Sequence, residues 1–156
     1  MRKQILDSQP QDSSDDSNWI VLEHLAQVEV TSEEENHPIE SALIAGRAGG
    51  WRASQAGVQV IRLRFDEPVN IGLIQLLFIE KQTPRTQEFV LRWSNRQPDA
   101  DQEVLRQQFT FSPPGTTRQL EQYTVQLRSV LSLELILTPD INDGPARASL
   151  QELRLA

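Results

Sequence analysis

The chain has no cysteine, and its 156 residues include only two histidines, His24 and His37. A fold without cysteine cannot be held by disulfides and cannot contain a thiolate metal site. This composition fits a reducing compartment, so we expect a cytoplasmic protein. Two histidines without cysteine are also too few for an ordinary transition-metal site.

Long apolar runs are missing as well. No run approaches the roughly 18 residues that a membrane-spanning helix needs, so we expect no membrane span. The opening stretch MRKQILDSQPQDSSDDSNW has two basic residues but no continuous apolar segment after them. It therefore does not have the pattern of a secretory signal.

The net charge of −7 is unevenly distributed along the chain. Residues 1–40 hold ten acidic residues against two basic ones, whereas residues 41–156 hold twelve acidic residues against thirteen basic ones. Residues 1–17 are too polar to offset their ordering entropy by burial, so we predict a disordered acidic tail there. We predict a single domain over residues 18–156, with order beginning near Trp19.

Most of the domain alternates apolar and polar residues with a period of two. The alternation is clear in GVQVIRLRF (57–65), QEFVLRWS (87–94), YTVQLRSV (123–130) and VLSLELIL (130–137). Such alternation is typical of strands with one buried face. The segment IGLIQLLFI (71–79) is nearly all apolar, which predicts a central strand covered on both faces.

Turn-forming residues separate these segments, and proline recurs at the breaks. Only SEEENHPIESALIA (32–45) has room for a short turn of helix. Many short strands with regular breaks predict an all-β fold, an antiparallel β-sandwich of the jelly-roll kind. The predicted separators are DEPVN (66–70), QTPRT (82–86), SNRQPDAD (94–101), SPPGTT (112–117) and TPDINDGPAR (138–147).

The sequence offers little catalytic machinery, and we predict that the protein is not an enzyme. No G-x-S-x-G elbow accompanies the two histidines. The glycine-rich GRAGGW (46–51) lacks the G-x-x-x-x-G-K-[S/T] pattern of a nucleotide phosphate loop. The acidic pairs Asp99 with Asp101 and Asp140 with Asp143 lie in turn-rich stretches, where aspartate commonly caps its own backbone.

The three tryptophans have two interpretations. Trp93 ends an alternating segment and Trp19 begins one, which favours core positions for both. Trp51 follows the glycine-rich loop and precedes Arg52. It is either another core anchor or an exposed platform on which a sugar or a base stacks.

The order of the segments resembles the discoidin, or coagulation-factor type C, family of the galactose-binding-domain-like superfamily. Members have a loop A-x-D-G-x…W-x-S, a strand I-x-L-x-F continued by P-x-x-I-x-x-I, a strand F-x-x-x-x-S and a last strand with E-L or E-I. The similarity covers about residues 28–156. The matching positions are Ala45-Gly46, Trp51 to Ser54, Ile61 to Phe65, Pro68 to Ile74, Phe89 to Ser94, and Glu152-Leu153.

The resemblance implies an eight-stranded jelly roll that binds glycans, lipid head groups or proteins through loops at one end. Many glycan-binding members also hold a structural calcium ion with carbonyls of the first loop, an acidic side chain there and a glutamate on the last strand. Glu152 matches that glutamate, but Ala45 stands where the loop aspartate is expected. A structural calcium ion at Glu152 would therefore lack one of its usual hard oxygen ligands.

The stretch WRASQAGVQVIRL (51–63) is also similar to the amino-terminal domain of the X-ray repair cross-complementing scaffold family. That domain has the same sandwich and is an intracellular module that binds proteins and DNA breaks. The paired terminal cysteines of extracellular discoidin members are absent here, which is consistent with an intracellular variant.

These observations predict a non-catalytic binding module that recognises a carbohydrate or a small polar ligand. The site is expected on the loops around residues 45–52, 81–86 and 138–147. Arginine suits this role because its planar guanidinium binds carboxylate or phosphate groups in a bidentate manner. The candidate ligand-binding residues are Arg47, Trp51, Arg52, Arg85 and Arg147.

The alternative is an intracellular protein-interaction or scaffold domain whose outward arginines, Arg62, Arg64 and Arg92, form the contact surface. The repair-scaffold similarity and the charge split between tail and body favour it. Such a domain would fit a nucleic-acid-related complex. We do not expect direct nucleic-acid binding, although the acidity belongs to residues 1–40 and residues 41–156 hold thirteen basic against twelve acidic residues. The plainest interpretation of the same arginines is a set of ordinary surface ion pairs.

Overall fold

The computed structural model describes residues 19–96 and 100–156. Within these ranges it contains a short 3-10 helix at Leu22–His24, one α-helix and eight strands. No helix in this part of the chain has the length and hydrophobicity needed to cross a membrane. Helix α1 is Glu40–Leu43, and the strands are β1 (Ala26–Val30), β2 (Trp51–Ala56), β3 (Gln59–Ile79), β4 (Arg85–Ser94), β5 (Gln102–Phe111), β6 (Arg118–Thr138), β7 (Arg147–Leu150) and β8 (Glu152–Leu155).

Two long strands, β3 and β6, organise the sheet. Each has 21 residues, and they pair antiparallel along most of their length. The first half of β3 also pairs with β1, and its second half pairs with β8. The second half of β6 pairs with β4, which pairs in turn with β5. The hydrogen-bonded order is therefore β1-β3-β6-β4-β5 with β8 on β3, while β2 pairs with β7.

The β3–β6 pair is irregular in its middle. Register shifts interrupt the ladder between Arg64 and Leu73, and such bulges bend a strand. Pro68 has no N–H to give to the ladder, and Ser129 on β6 has a φ of 56°. The Ser129 N–H donates instead to the Asn70 side chain at 2.9 Å. These irregularities divide each long strand into two halves, one paired with β1 and β4 and the other with β8.

The core lies between these two halves. Phe78, from the second half of β3, contacts Phe89 of β4 with ring centroids 5.3 Å apart. Both rings are fully buried, as are Phe65 and Phe111. Because burial of aromatic surface is the largest favourable contribution per side chain, these rings hold the two layers together. The predicted antiparallel β-sandwich is confirmed.

The predicted strand pattern is confirmed in most segments. Leu133, Leu135 and Leu137 are buried on one face of β6, as their alternation predicts. The apolar segment 71–79 is a central strand, since it pairs with both β6 and β8. The short helix predicted within residues 32–45 is α1.

One predicted break is wrong. Residues 66–70 were expected to separate two strands, but β3 runs straight through them. The polar residues and Pro68 form a bulged, exposed stretch of the ladder and do not reverse the chain. The segments 123–130 and 130–137 are likewise parts of the single strand β6.

The segment before the first strand already contacts the sandwich. The Ile20 N–H donates to the Leu155 carbonyl oxygen at 2.7 Å, whereas β1 starts at Ala26. The predicted acidic tail, residues 1–17, lies outside the described residues. The tail and the domain limits at residues 18 and 156 therefore stay predictions.

The aromatic contact between the layers predicts a large loss of stability on truncation. We expect Phe78→Ala to lower the free energy of unfolding by about 3–5 kcal/mol, because it leaves a cavity in a closely packed core. Urea denaturation measures this difference. Leu120→Ala is the matched control, since Leu120 lies on β6 with 45% of its surface exposed and should cost well under about 1 kcal/mol. Equal effects of the two substitutions would contradict the assignment of the core.

Candidate functional site

A cleft of about 390 Å³ lies between the loop before β2, the β3–β4 loop and the β7–β8 turn. Its lining is mostly polar and combines three separate parts of the chain. We refer to it as the cleft. It is lined by His37, Gly49, Trp51, Arg52, Ile79, Glu80, Lys81, Gln82, Ser149, Leu150 and Gln151.

The wall formed by the loop before β2 depends on glycine. Gly49 and Gly50 have φ values of 94° and 63°, in the left-handed region that favours glycine. A Cβ at Gly50 would lie 2.8 Å from the carbonyl oxygen of Leu150, so only glycine lets the loop approach β7 this closely. His37 Nδ1 lies 3.0 Å from the Gly49 carbonyl oxygen. Because a carbonyl can only accept, Nδ1 carries the hydrogen and Nε2 is the ring atom left for a further hydrogen bond.

Trp51 is a core anchor. Only 1% of its surface is exposed, and its indole Nε1 donates to the Ser32 carbonyl oxygen at 2.9 Å. The interpretation of Trp51 as an exposed stacking platform is wrong, because the pairing of β2 with β7 directs the ring into the core. Trp51 borders the cleft without offering a face to a ligand.

The base of the cleft is held by a buried ion pair. Arg85 Nε donates to Glu80 Oε1 at 2.8 Å, and the Arg85 side chain has no exposed surface. Arg85 Nη1 also donates to the Pro139 carbonyl oxygen at 2.9 Å, and Nη2 lies 3.5 Å from Ser149 Oγ. The guanidinium stacks over Phe111, 5.0 Å from the ring centroid. This one side chain therefore ties β4 to the β3–β4 loop, the β6–β7 loop, β7 and β5.

The carboxylate of Glu80 is fully engaged in these contacts. Its second oxygen, Oε2, accepts the N–H groups of Gln82 and Thr83 at 3.1 and 3.2 Å. Burial acts to raise the pKa of Glu80, but the hydrogen bonds from Arg85, Gln82 and Thr83 outweigh burial and the pKa is lowered. Glu80 is therefore a stable anion whose oxygens already have donors.

Two cationic side chains border the cleft, Arg52 and Lys81. Lys81 is exposed, and no ion pair within 4.0 Å involves it among residues 19–96 and 100–156. Arg52 Nε lies 4.0 Å from Glu34 Oε1, a long contact. The closer ion pair of Glu34 is with Arg147, whose Nη1 lies 3.0 Å from Glu34 Oε2. These two cations are thus hydrogen-bond donors at the cleft, beside the amides of Gln82 and Gln151, which both donate and accept.

The predicted site residues are dispersed. Arg52 borders the cleft, and Arg147 is linked to it through Glu34. Arg47 is exposed but does not line the cleft. Arg85 was expected in an exposed loop, and that expectation is wrong because its guanidinium is completely buried by the pair with Glu80.

The sequence interpretation missed the polar residues that complete the cleft. His37, Lys81, Gln82 and Gln151 come from three separate segments and carry no shared motif. Lys81 did have a signal, since it is the only lysine after residue 40 and lies in the predicted loop region 81–86.

The lining of the cleft does not resemble a hydrolytic site. Acid–base hydrolysis of glycosides commonly uses two carboxyl groups, one of which must be free to exchange a proton. Among the described residues that line the cleft, Glu80 is the only carboxylate, and its pair with Arg85 occupies it. The described lining therefore lacks the free pair of carboxyl groups that such hydrolysis uses.

The residues present do not complete the ligand set that the resemblance implies for a structural calcium ion, because Ala45 offers no side-chain oxygen. The described residues contain no cluster of three or more acidic or histidine side chains that could hold a metal. A cationic side chain instead reaches the segment before the first loop: Arg154 Nη1 donates to the Ala42 carbonyl oxygen at 2.8 Å, and Arg154 is buried. With Ala45 in place of aspartate, Glu152 has no acidic partner there.

The outward arginines of the scaffold alternative are engaged within the sheet. Arg62 contacts Glu29 and Glu134 at 2.8 Å, and these hydrogen bonds, led by that of Glu29, raise the pKa of Arg62. Arg64 lies 3.2 Å from Glu29. Arg92 Nε donates to the carbonyl oxygen of Ala100 at 3.1 Å. The three arginines of the expected contact surface are therefore engaged within the domain. Arg62 and Arg64 form ion pairs between neighbouring strands, and Arg92 binds a loop carbonyl.

The Glu80–Arg85 pair predicts a pH-dependent stability difference. We expect Glu80→Gln to lower the free energy of unfolding at about pH 7 by about 3 kcal/mol, because it leaves the buried guanidinium without its counterion. Since the pKa of Glu80 is lowered in the folded state, this contribution is present above the unfolded pKa of about 4.3 and is lost as the pH falls through the folded value.

Urea titrations at about pH 7 and about pH 3 measure the free energy of unfolding of the wild type and of Glu80→Gln. The difference between the two proteins should be smaller at the lower pH. Glu103→Gln, which removes an exposed partner of Arg106, is the control and should cost under about 1 kcal/mol. A difference that stays constant with pH would show that Glu80 is not held as an anion.

The Arg154 contact predicts that calcium does not stabilise the fold. We expect the same melting temperature in excess EDTA and in millimolar calcium chloride, measured by circular dichroism. Arg154→Met should lower the free energy of unfolding by about 1–3 kcal/mol in both, because the Ala42 carbonyl loses its donor. Arg128→Met, at an exposed arginine of β6, is the control. A melting temperature that rises with calcium in the wild type would contradict this account.

Comparison with solved structures identifies similar folds at low sequence identity. A family 32 carbohydrate-binding module of C. perfringens NanJ, in complex with galactose, is 15% identical with a TM-score of 0.59, over 86% of this chain and 96% of that one. The CBM32 of AlyQ, in complex with 4,5-unsaturated mannuronic acid, is 16% identical with a TM-score of 0.58, over 85% and 95%. Reduced XRCC1, bound to the DNA polymerase β catalytic domain, is 13% identical with a TM-score of 0.58, over 85% and 95%.

No protein-family model matches the chain, and no curated protein matches it either. The structural likeness confirms the fold that the discoidin resemblance implied, and it includes the repair-scaffold protein suggested by residues 51–63. At these identities the likeness concerns the fold alone. The chain has a β-sandwich fold like that of these family 32 carbohydrate-binding modules and of XRCC1.

Proposed function

We propose that the protein is a non-catalytic module that binds carbohydrate in the cleft. The observation that carries this proposal is the composition of the cleft. Its described lining offers several hydrogen-bonding side chains, of which Lys81 and Gln82 are exposed, and no free carboxylate. Sugars present closely spaced hydroxyl groups, each of which both donates and accepts hydrogen bonds. Gln82 and Gln151 can do both, Arg52 and Lys81 donate, and His37 Nε2 remains for a hydroxyl group.

The size and position of the cleft support this proposal. Its volume of about 390 Å³ falls in the range of small-molecule sites. Two of the three predicted ligand loops, residues 45–52 and 81–86, contribute to its walls. Two solved structures with the same fold hold a galactose and an unsaturated mannuronic acid, which adds support at the level of the fold.

The protein-interaction alternative has less support from the contacts. It rested on the repair-scaffold similarity, the charge split and the intracellular signature. Its candidate contact residues, Arg62, Arg64 and Arg92, each have a partner within the sheet or its loops. Likeness to XRCC1 supports it only through the fold. The cleft therefore carries the stronger proposal.

The carbohydrate proposal predicts that one substitution in the cleft weakens sugar binding. On an array of neutral and acidic oligosaccharides, we expect the wild type to bind a subset of glycans, with no cleavage of the bound glycans. For the strongest ligand, Gln82→Ala should weaken binding about three- to tenfold in calorimetric titrations, which is the loss expected for one or two hydrogen bonds.

Two controls separate the cleft from other surfaces. Gln107→Ala removes an exposed glutamine of β5, and Arg47→Gln removes the predicted site residue that lies outside the cleft. Both variants should bind as the wild type does. No binding to any glycan on the array would overturn the proposal, and loss of binding on Arg47→Gln with none on Gln82→Ala would move the site to the exposed loop.

A further inference from the structure

We infer that the cleft selects a sugar that carries a carboxylate, such as a uronic acid, over its neutral counterpart. This inference rests on the proposed function and names the class of sugar. It follows from the charges around the cleft, which differ in sign from the net charge of the whole chain, −7.

Lys81 is the first of these charges. It lies in the β3–β4 loop, is exposed, and borders the cleft. Its neighbour Glu80 cannot neutralise it, because one oxygen of that carboxylate accepts from Arg85 and the other from Gln82 and Thr83. The Lys81 ammonium group is therefore a charge with no partner in the described chain and with access to a ligand.

Arg52 is the second charge, and it borders the cleft from strand β2. Its guanidinium shares Glu34 with Arg147, and the closer contact belongs to Arg147 at 3.0 Å against 4.0 Å for Arg52. One carboxylate between two arginines leaves a net positive charge. The Arg52 side chain is 42% exposed, so its donors are accessible.

The other acidic side chains of the segment before α1 do not line the cleft. Glu33 Oε1 accepts the Ile39 N–H at 3.0 Å, and Glu35 is exposed outside the cleft. The buried pair of Glu80 with Arg85 contributes no net charge. Arg52 and Lys81 therefore determine the sign of the local field at the ligand position.

A carboxylate on a sugar ring suits this pair of cations. The planar guanidinium of Arg52 can bind both carboxylate oxygens, and the Lys81 ammonium adds a second charge-assisted hydrogen bond. Hydrogen bonds to charged groups contribute more than neutral ones, even after screening at a partly exposed site. A neutral sugar would use the same donors without this gain, so the two sugars should differ in affinity.

The test compares acidic and neutral sugars of the same length on the full chain. Trigalacturonate and trimannuronate are the acidic probes, and galactotriose and mannotriose are their neutral counterparts, all measured by isothermal titration calorimetry. We expect at least one acidic probe to bind about tenfold more tightly than its neutral counterpart at low salt. The preference should decrease at high salt, where exposed charges are screened.

Lys81→Gln should weaken binding of the preferred acidic probe about tenfold and change binding of its neutral counterpart little. Arg47→Gln is the matched control, because it removes one positive charge from the adjoining loop but not from the cleft. It should leave both affinities unchanged, and both variants should keep the wild-type melting temperature.

The outcomes separate this inference from the proposed function. Equal binding of acidic and neutral probes, or neutral glycans alone bound on the array, would overturn the carboxylate preference and leave the carbohydrate module intact. Binding to no glycan on the array would overturn both. An acidic preference that survives Lys81→Gln but falls with Arg47→Gln would also overturn the inference, because the charge responsible would then lie outside the cleft.

Discussion

The buried ion pair between Arg85 and Glu80 is the contact on which the cleft depends. Through it, the β3–β4 loop, the β6–β7 loop and β7 are held to the first residue of β4. A guanidinium without exposed surface is costly to desolvate, and it is tolerated here because a carboxylate, a backbone carbonyl, a hydroxyl and an aromatic face surround it. Loss of either partner would leave an unpaired buried charge beside the cleft.

The same pair gives the cleft its chemical character. Because Glu80 is paired with Arg85 and accepts two backbone N–H groups, the carboxylate on the lining of the cleft is held as an anion by internal donors. The exposed cations Arg52 and Lys81 then face the cleft without a matching anion on its lining. One internal contact thus underlies both parts of the proposal, a cleft that binds a sugar without hydrolysing it and a preference for ligands of negative charge.

The fold was largely predictable from the sequence. The alternation around Leu133, Leu135 and Leu137 indicates which face of the strand is buried. Strands that each bury one face are typical of a sandwich, so the pattern predicts the fold. The error at residues 66–70 has a physical origin, since proline and polar residues mark a bulge as readily as a turn. Only the pairing partner, supplied by β6 about sixty residues later, distinguishes the two.

The site was predictable only in part. Arg85 and Arg52 look alike in a sequence, yet one is buried against Glu80 and the other borders the cleft. Their difference arises from tertiary contacts, above all from Pro139 and Ser149, which lie more than fifty residues from Arg85. The polar residues of the cleft come from distant segments, so no local pattern could have brought His37, Lys81 and Gln151 together.

Backbone NMR can locate the ligand and so test whether it occupies this cleft. In a ¹H–¹⁵N correlation spectrum of the labelled chain, titrated with trigalacturonate and in parallel with galactotriose, we expect the largest shifts at the amides of Gly49, Lys81, Gln82 and Gln151. The amides of β5, such as those of Gln107 and Gln108, should stay in place. Shifts concentrated on β5 or on Arg47 and Ala48, with the cleft amides unchanged, would contradict this location.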